Sequence, residues 1–293
     1  GLDVSAIYFD GQQFRHARDF MRGFAGAHAG SNEVVDWRAG DMYLSLDLNI
    51  GSMPETEPLM RDLARQGVRL CFVVFDLLPL LRPDWWPTGM STQFEAWLKR
   101  LLSVADTVCC ISRSVADELE AWMSGAALSF QYRPPAVRWF HLGADLEHSA
   151  PSTGWPEAYT EVTDAMNARP TFLMVGTLEP RKGHAQALTA FEALWAAGHA
   201  LNLVIVGKSG WLVDDLIERI RSHPESGGRL FWLCNASDEC LEDLYGLATC
   251  LLAASEAEGF GLPLIESARR GLPILARDLP VFREVAGSRS EEH

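Results

Sequence analysis

The chain has 293 residues, 48% of them hydrophobic, enough for a sizeable core divided between about two domains of ordinary size. Its 39 acidic residues against 25 basic ones give a formal net charge of -14, which favours solubility and excludes a broad nucleic-acid footprint, though not a small basic pocket. The longest apolar runs are interrupted by Asp76, Arg82 and Asp84, so none has the length of a bilayer span, and the opening residues do not read as a secretory signal.

In chain order, "VSAIYFDG" and "DMYLSLDLN" are short runs of β-formers ending in turn residues and predict strands. The arginine-containing segment 12–30 between them carries no decisive period. "SMPETEPLMRDLARQG" predicts a helix beginning near Ser52 or Pro54 and stopped by Gly67, followed by the continuous apolar strand "VRLCFVVFD". "STQFEAWLKRLLSVA" predicts a helix with a Ser/Thr cap, "DTVCCIS" a strand, "RSVADELEAWMSG" a helix and "AVRWFHLGAD" a strand. The rhythm breaks over about 146–170, where "PEAYTEVTDAM" predicts a short helix, and then restarts. Strands "TFLMVGT", "LNLVIVG", "RLFWLCN", "CLLAAS" and "PILARD" alternate with helices "GHAQALTAFEALWAAG", "LVDDLIERIRSH", "DECLEDLYGLA" and "LPLIESARRG". Strand-helix alternation predicts an α/β fold with parallel sheets. The expected division is an N-terminal unit over 1–150, a linker over 151–170 and a C-terminal unit over 171–293. Both ends read as cut, and each unit as incomplete.

Six cysteines show no CxxC spacing and no matching histidines. They predict small buried or semi-buried thiols in a reducing compartment and no metal site. "RPDWWPTGM" leaves two readings: Trp85 and Trp86 cover a loop, or they touch a membrane or a lipid-linked substrate.

Two stretches carry chemistry. In "VGTLEPRKGH" a buried strand ends at Val175, and Arg181 and Lys182 precede a helix start. A guanidinium fork and an ammonium beside free helix N–H groups suit a diphosphate. The other reading is a solvent-facing turn whose cations pair with Glu179. In "EAEGFGLPLIE" a strand delivers Ser255 to Glu258, Gly259 and Gly261 bracket Phe260, and Pro263 fits the first turn of a helix that carries Glu266. Two carboxylates around a run of backbone amides can accept from sugar hydroxyls while the amides face phosphate oxygens. The other reading makes Glu256, Glu258 and Glu266 surface acids.

The order "VGTLEPRKG", "IVG" and "EAEGFGLPLIESARRGLPILARDLPVFREVAG" resembles the C-terminal half of family 4 retaining glycosyltransferases with the GT-B fold, closely over 171–287 and less so over 71–145. The resemblance implies two Rossmann-like domains facing a central cleft. It implies that Glu258 contacts the donor sugar, with the amides of Gly259, Phe260, Gly261 and Leu262 near sugar and phosphate. Gly176 and Thr177 would line the donor site, Glu266 would bind the ribose, and the base would lie near Leu233 to Asn235. Arg181 and Lys182 would hold the diphosphate and stabilise the leaving group, with no metal and no cofactor. Transfer would proceed by front-face substitution with retention.

Two positions depart from the family pattern. Phe75 stands before Asp76 where many relatives have a histidine, which leaves Asp76 to orient an acceptor or a loop. Thr177 stands where several relatives have a diphosphate-binding arginine. His141 reads as an aromatic-flanked core or hinge residue. Within the family, "GDMYLSLDLN" and "VVFDLLPLLRPDWW" look most like bacterial enzymes of surface-polysaccharide synthesis, which implies mannosyl transfer from GDP-mannose to a glycan or lipid-linked acceptor. The implied location is cytoplasmic, with a peripheral contact at the inner face of the bacterial membrane. No oligomeric state follows. A nucleotide-sugar-binding protein without transfer and a GT-B-fold epimerase remain the alternatives.

Overall fold

The computed structural model describes residues 4–18, 32–130, 133–143 and 151–287. The remainder of segment 12–30 beyond residue 18, residues 146–150 of the interval where the rhythm breaks and the end of the chain after Gly287 lie outside the described residues.

The described residues form two compact units. The first comprises residues 1–74, 92–109 and 120–138. It opens on a hairpin of β1 (Ile7–Phe9) and β2 (Phe14–His16), paired antiparallel. The second arm is absent from the sequence expectations, because Phe-Arg-His offers no apolar run. A four-stranded sheet follows in the order β3 (Met42–Ser45), β4 (Arg69–Val74), β5 (Thr107–Cys110) and β6 (Ala136–Trp139). Strand β4 is buried from Leu70 to Val74, as its unbroken apolar run requires. Helix α1 (Met53–Arg65) starts with Pro54 in its first turn, and Gly67 at φ 89 ends it. After the four-residue helix α2 (Leu78–Leu81) comes α3 (Met90–Val104). Because α3 begins at Met90, Ser91 and Thr92 fall inside its first turn instead of capping it. Helix α4 is Arg113–Gly125.

The second unit takes in residues 75–91, 110–119 and 139 onward. Its sheet runs β11 (Ile274–Ala276), β10 (Cys250–Ala253), β7 (Thr171–Val175), β8 (Asn202–Val206) and β9 (Leu230–Leu233). All four pairings are parallel. Period-two alternation splits its apolar side chains between two cores. Leu173, Val204 and Phe231 face helices α5 (Tyr159–Ala168), α8 (Asp238–Leu247), α9 (Leu262–Arg269) and α10 (Pro280–Ala286). Met174, Leu203 and Ile205 face α6 (His184–Ala196) and α7 (Asp214–Arg221). Every residue of β8 is buried, which fits its place between two strands and two helical layers.

Topology then fixes where a ligand can sit. The chain builds outward from β7 through β8 to β9, then returns to the other side of β7 as β10 and β11. The order reverses between β7 and β10, and a crevice opens at the C-terminal ends of strands at such a reversal.

One cysteine expectation is corrected. Cys234 is exposed, because it follows the end of β9 in a surface loop, whereas the other five are buried or half-buried.

Candidate active site

The β7–β10 reversal brings together the two stretches singled out in the sequence. Gly176 and Thr177 follow β7, and the turn Pro180–Lys182 carries Arg181 and Lys182 into α6. Ser255 to Glu258 follow β10. Glu256 N donates to Arg181 O at 2.7 Å, which ties one loop to the other. Gly183 has φ 71, and a side chain there would place its Cβ 2.4 Å from Ala254 O. Only glycine permits both this conformation and this approach.

Glu258 is the centre of the cluster. Its Oε2 accepts from Arg181 Nη1 at 2.6 Å, and its Oε1 accepts from Lys182 Nζ at 2.5 Å and from Ser255 Oγ at 2.7 Å. Arg181 Nε also donates to Glu179 Oε2 at 2.8 Å, and Nη1 to Ala257 O at 3.2 Å. The four charged side chains are only 8% to 15% exposed. Burial pushes the Glu258 carboxyl up, but the charges of Lys182 and Arg181 outweigh it and hold it below the usual carboxylate range. Burial also opposes the Arg181 charge, and Glu258 and Glu179 more than restore it. Arg181 is therefore charged. Lys182 has two further N–H donors beyond its bond to Glu258, and Arg181 has its Nη2 group. The surface-turn reading thus captures the Arg181–Glu179 pair but not the bonds to Glu258, whose side chain is 9% exposed. Glu256 is exposed, as the surface-acid reading of its stretch requires.

The glycine turn is held from several sides. Ser112 Oγ donates to Gly259 O at 2.8 Å. A Cβ on Gly259 would lie 2.2 Å from Phe75 O, and one on Gly261, at φ 95, would lie 2.7 Å from Phe282 Cε1. The Phe260 side chain is 3% exposed, with its ring 5.6 Å from that of His141, while Leu262 is exposed. Lys182 lies over Gly176, its Nζ 3.5 Å from the place a Cβ would occupy there.

Other predicted positions are placed as follows. Asp76 is half-buried, and its Oδ1 accepts from Leu78 N at 3.0 Å. Burial pushes its carboxyl above the ordinary range, against the pull of Arg181 and with the push of Glu258 and Glu179. Glu266 stands on α9, where its Oε2 accepts from Tyr245 Oη at 2.6 Å. That bond occupies one carboxylate oxygen. Asn235 is exposed after β9, an edge strand two places from β7. Phe75 is 41% exposed. His141 is corrected from a core residue: its side chain is 42% exposed, and Nε2 lies 2.7 Å from Glu284 Oε1. Trp85 is buried, Trp86 stacks on Trp211 at 4.8 Å, and Trp211 Nε1 donates to Trp85 O at 2.8 Å. Ser112, Ser255 and Glu284 were not anticipated as partners, since each acts through residues whose spacing in sequence carries no pattern.

Among the described residues, no group of three or more His, Cys, Asp or Glu side chains could hold a metal ion, and no helix is long and apolar enough to cross a membrane.

Residues 157–291 match the family described as Glycosyl transferases group 1. The serotype-specific mannosyltransferase WbdA of Escherichia coli is 45% identical over 288 residues, covering 98% of this chain and 35% of that protein. Residues 157–291 of the chain belong to the group 1 glycosyl transferases. It spans about a third of the length of the curated relatives it matches, 35% in the case above. The O-antigen chain mannosyltransferase B of Escherichia coli is 32% identical over 116 residues, or 39% of this chain and 30% of that protein. Among solved structures, Anabaena Alr3699/HepE in complex with UDP and glucose has a TM-score of 0.55 at 15% identity, covering 80% of this chain and 59% of that one. The two-domain Rossmann-like GT-B fold implied by the sequence is therefore the fold of this chain.

Proposed function

We propose that this chain transfers mannose with retention from a nucleotide diphosphate donor, GDP-mannose, to a glycan or lipid-linked glycan in surface-polysaccharide synthesis. The observation that carries the reading is Glu258 clamped between Arg181 and Lys182 at the β7–β10 reversal. The similarity to serotype-specific mannosyltransferases over 98% of the chain supports mannose as the sugar.

In this reading Arg181 and Lys182 neutralise the diphosphate as the sugar–phosphate bond breaks, with their unused N–H donors as the contacts. Glu258 has two tasks: it orders both cations, and it accepts from a sugar hydroxyl. The amides from Gly259 to Leu262, with Gly176 and Thr177, surround the sugar and phosphates, and the free oxygen of Glu266 accepts from the ribose. Asn235 lies toward the base. Asp76, whose carboxyl burial pushes above the ordinary range, orients the acceptor. The catalytic set is Arg181, Lys182, Glu258 and Asp76. A lipid-linked acceptor would place the protein on the inner face of a bacterial membrane as a peripheral partner.

Calorimetric titration with GDP-, UDP- and dTDP-sugars tests the reading. GDP-mannose is expected to bind best, and Lys182→Ala to weaken it by about tenfold or more through loss of a charge-assisted bond. Binding left unchanged by both Lys182→Ala and Glu266→Ala would overturn the site.

A further inference from the structure

A small cavity adjoins Lys182 and Glu258 and takes in one residue that the proposed chemistry does not use, His184. Its polar lining is Lys182, His184, Ser255 and Glu258, and its apolar lining includes Met174 and Phe282. His184 occupies the first position of α6, is 2% exposed, and its Nδ1 has no hydrogen-bond partner in the protein. A buried polar nitrogen without a partner is costly, and native proteins rarely leave one so. Burial, reinforced by the Lys182 charge, pushes the imidazole down to about 4, so it is neutral at physiological pH.

The cavity offers about 20 Å³ for the centre of a water molecule, against the roughly 10–15 Å³ that one water needs. Its size and polar end match one water. A buried water requires two or more polar partners. Around this cavity they are the His184 nitrogen, the Lys182 ammonium, the Ser255 hydroxyl and the Glu258 carboxylate.

We propose that one ordered water fills this cavity, bonded to His184 Nδ1 and to the Lys182–Glu258 pair, and that through it His184 positions the Lys182 ammonium. The inference rests on the proposed function for its consequence, but not for the water itself. A lysine side chain is flexible and acts as a point charge. Glu258 fixes it from one side, and the water fixes it from beneath. That leaves its remaining N–H directed toward a phosphate oxygen.

Two measurements test this. A crystal structure of the parent protein, at a resolution that shows ordered water, should contain density at about 3.0 Å from His184 Nδ1; an empty cavity overturns the proposal. The second measures GDP and guanosine binding to His184→Leu, which keeps volume without a polar atom, and to His184→Asn, which restores one near Nδ1. His184→Leu should weaken GDP by about tenfold, the loss of one buried hydrogen-bonded link, and leave guanosine unchanged. His184→Asn should recover most of that affinity. A purely structural role would weaken guanosine as well, and His184→Leu binding GDP like the parent overturns the positioning role. The two readings fail differently: water present with no nucleoside diphosphate bound defeats the proposed function, while GDP bound over a dry cavity defeats this inference alone.

Discussion

Glu118 shows how the surroundings of the site act on one residue. It lies on α4, half-buried, and burial first and the Asp76 charge second push its carboxyl up to about 7. In the unfolded chain a glutamate titrates near about 4.3. Between these values the folded protein binds the extra proton, so stability declines as pH rises through the window and the full penalty is present above it. Glu118→Gln removes the charge and with it the penalty. At about pH 8 the variant should therefore unfold later than the parent, by on the order of 1 kcal/mol once solvent screening of a half-exposed group is allowed for. Near pH 4 the two should coincide. Denaturant titrations at both pH values check this, and a variant less stable at the higher pH would show that Glu118 is held by favourable contacts instead.

At the scale of elements, the turn from Glu258 to Leu262 depends on backbone that no side chain can enter. Gly259→Ala would drive a Cβ to within 2.2 Å of Phe75 O, a clash with backbone that can be relieved only by moving the turn. It should cost about 1–3 kcal/mol or more and displace the amides proposed to meet the donor. Gly246, near the end of α8, has open space around its Cβ position, so Gly246→Ala should stabilise by about 0.5–1 kcal/mol through helix propensity. Thermal melts of the two variants should move in opposite directions. These elements also mark what was legible in the sequence. Strands β3 to β11 and the longer helices were readable because each shows an apolar run or a 3.6-residue period bounded by Gly, Pro or a cap. Arg181, Lys182 and Glu258 were readable as chemistry because turn glycines and charged residues follow buried strands. Strand β2 was not, since Phe-Arg-His has no apolar run, nor were helices α2 and α10, whose four and seven residues are too short for a helical period to emerge. The clamp on Glu258 could not be read either: 76 and 77 positions separate it from Lys182 and Arg181, and only the strand order makes them neighbours.

At the scale of the whole molecule, the second compact unit is assembled from three separated stretches of chain, and Glu284 is one of the residues that join them. Its Oε1 accepts from Arg113 N at 2.7 Å, and its Oε2 accepts from Ser114 N at 2.9 Å and Ser114 Oγ at 2.8 Å. These are the first two N–H groups of α4, which have no partner within their own helix and carry the positive end of its dipole. A carboxylate from α10, 170 positions from Ser114, thus meets the two donors that the local cap leaves open, since Ser112 Oγ accepts only from Val115 N, at 3.2 Å. Burial pushes Glu284 up, but His141 and the α4 donors overcome this and hold it below the usual carboxylate range. Its contribution is therefore complete above the ordinary glutamate pKa and is lost as pH falls through its lowered one. Glu284→Ala should destabilise the protein by about 1–3 kcal/mol, the cost of a lost cap and exposed donors. The more specific sign is local: hydrogen exchange at the amides of Arg113 and Ser114 should accelerate, whereas protection in the fully buried strand β8 should fall only as far as global stability does. Unchanged protection at both α4 amides would mean that the helix is closed without Glu284, and the joining role would then rest on other links such as Ser112 to Gly259.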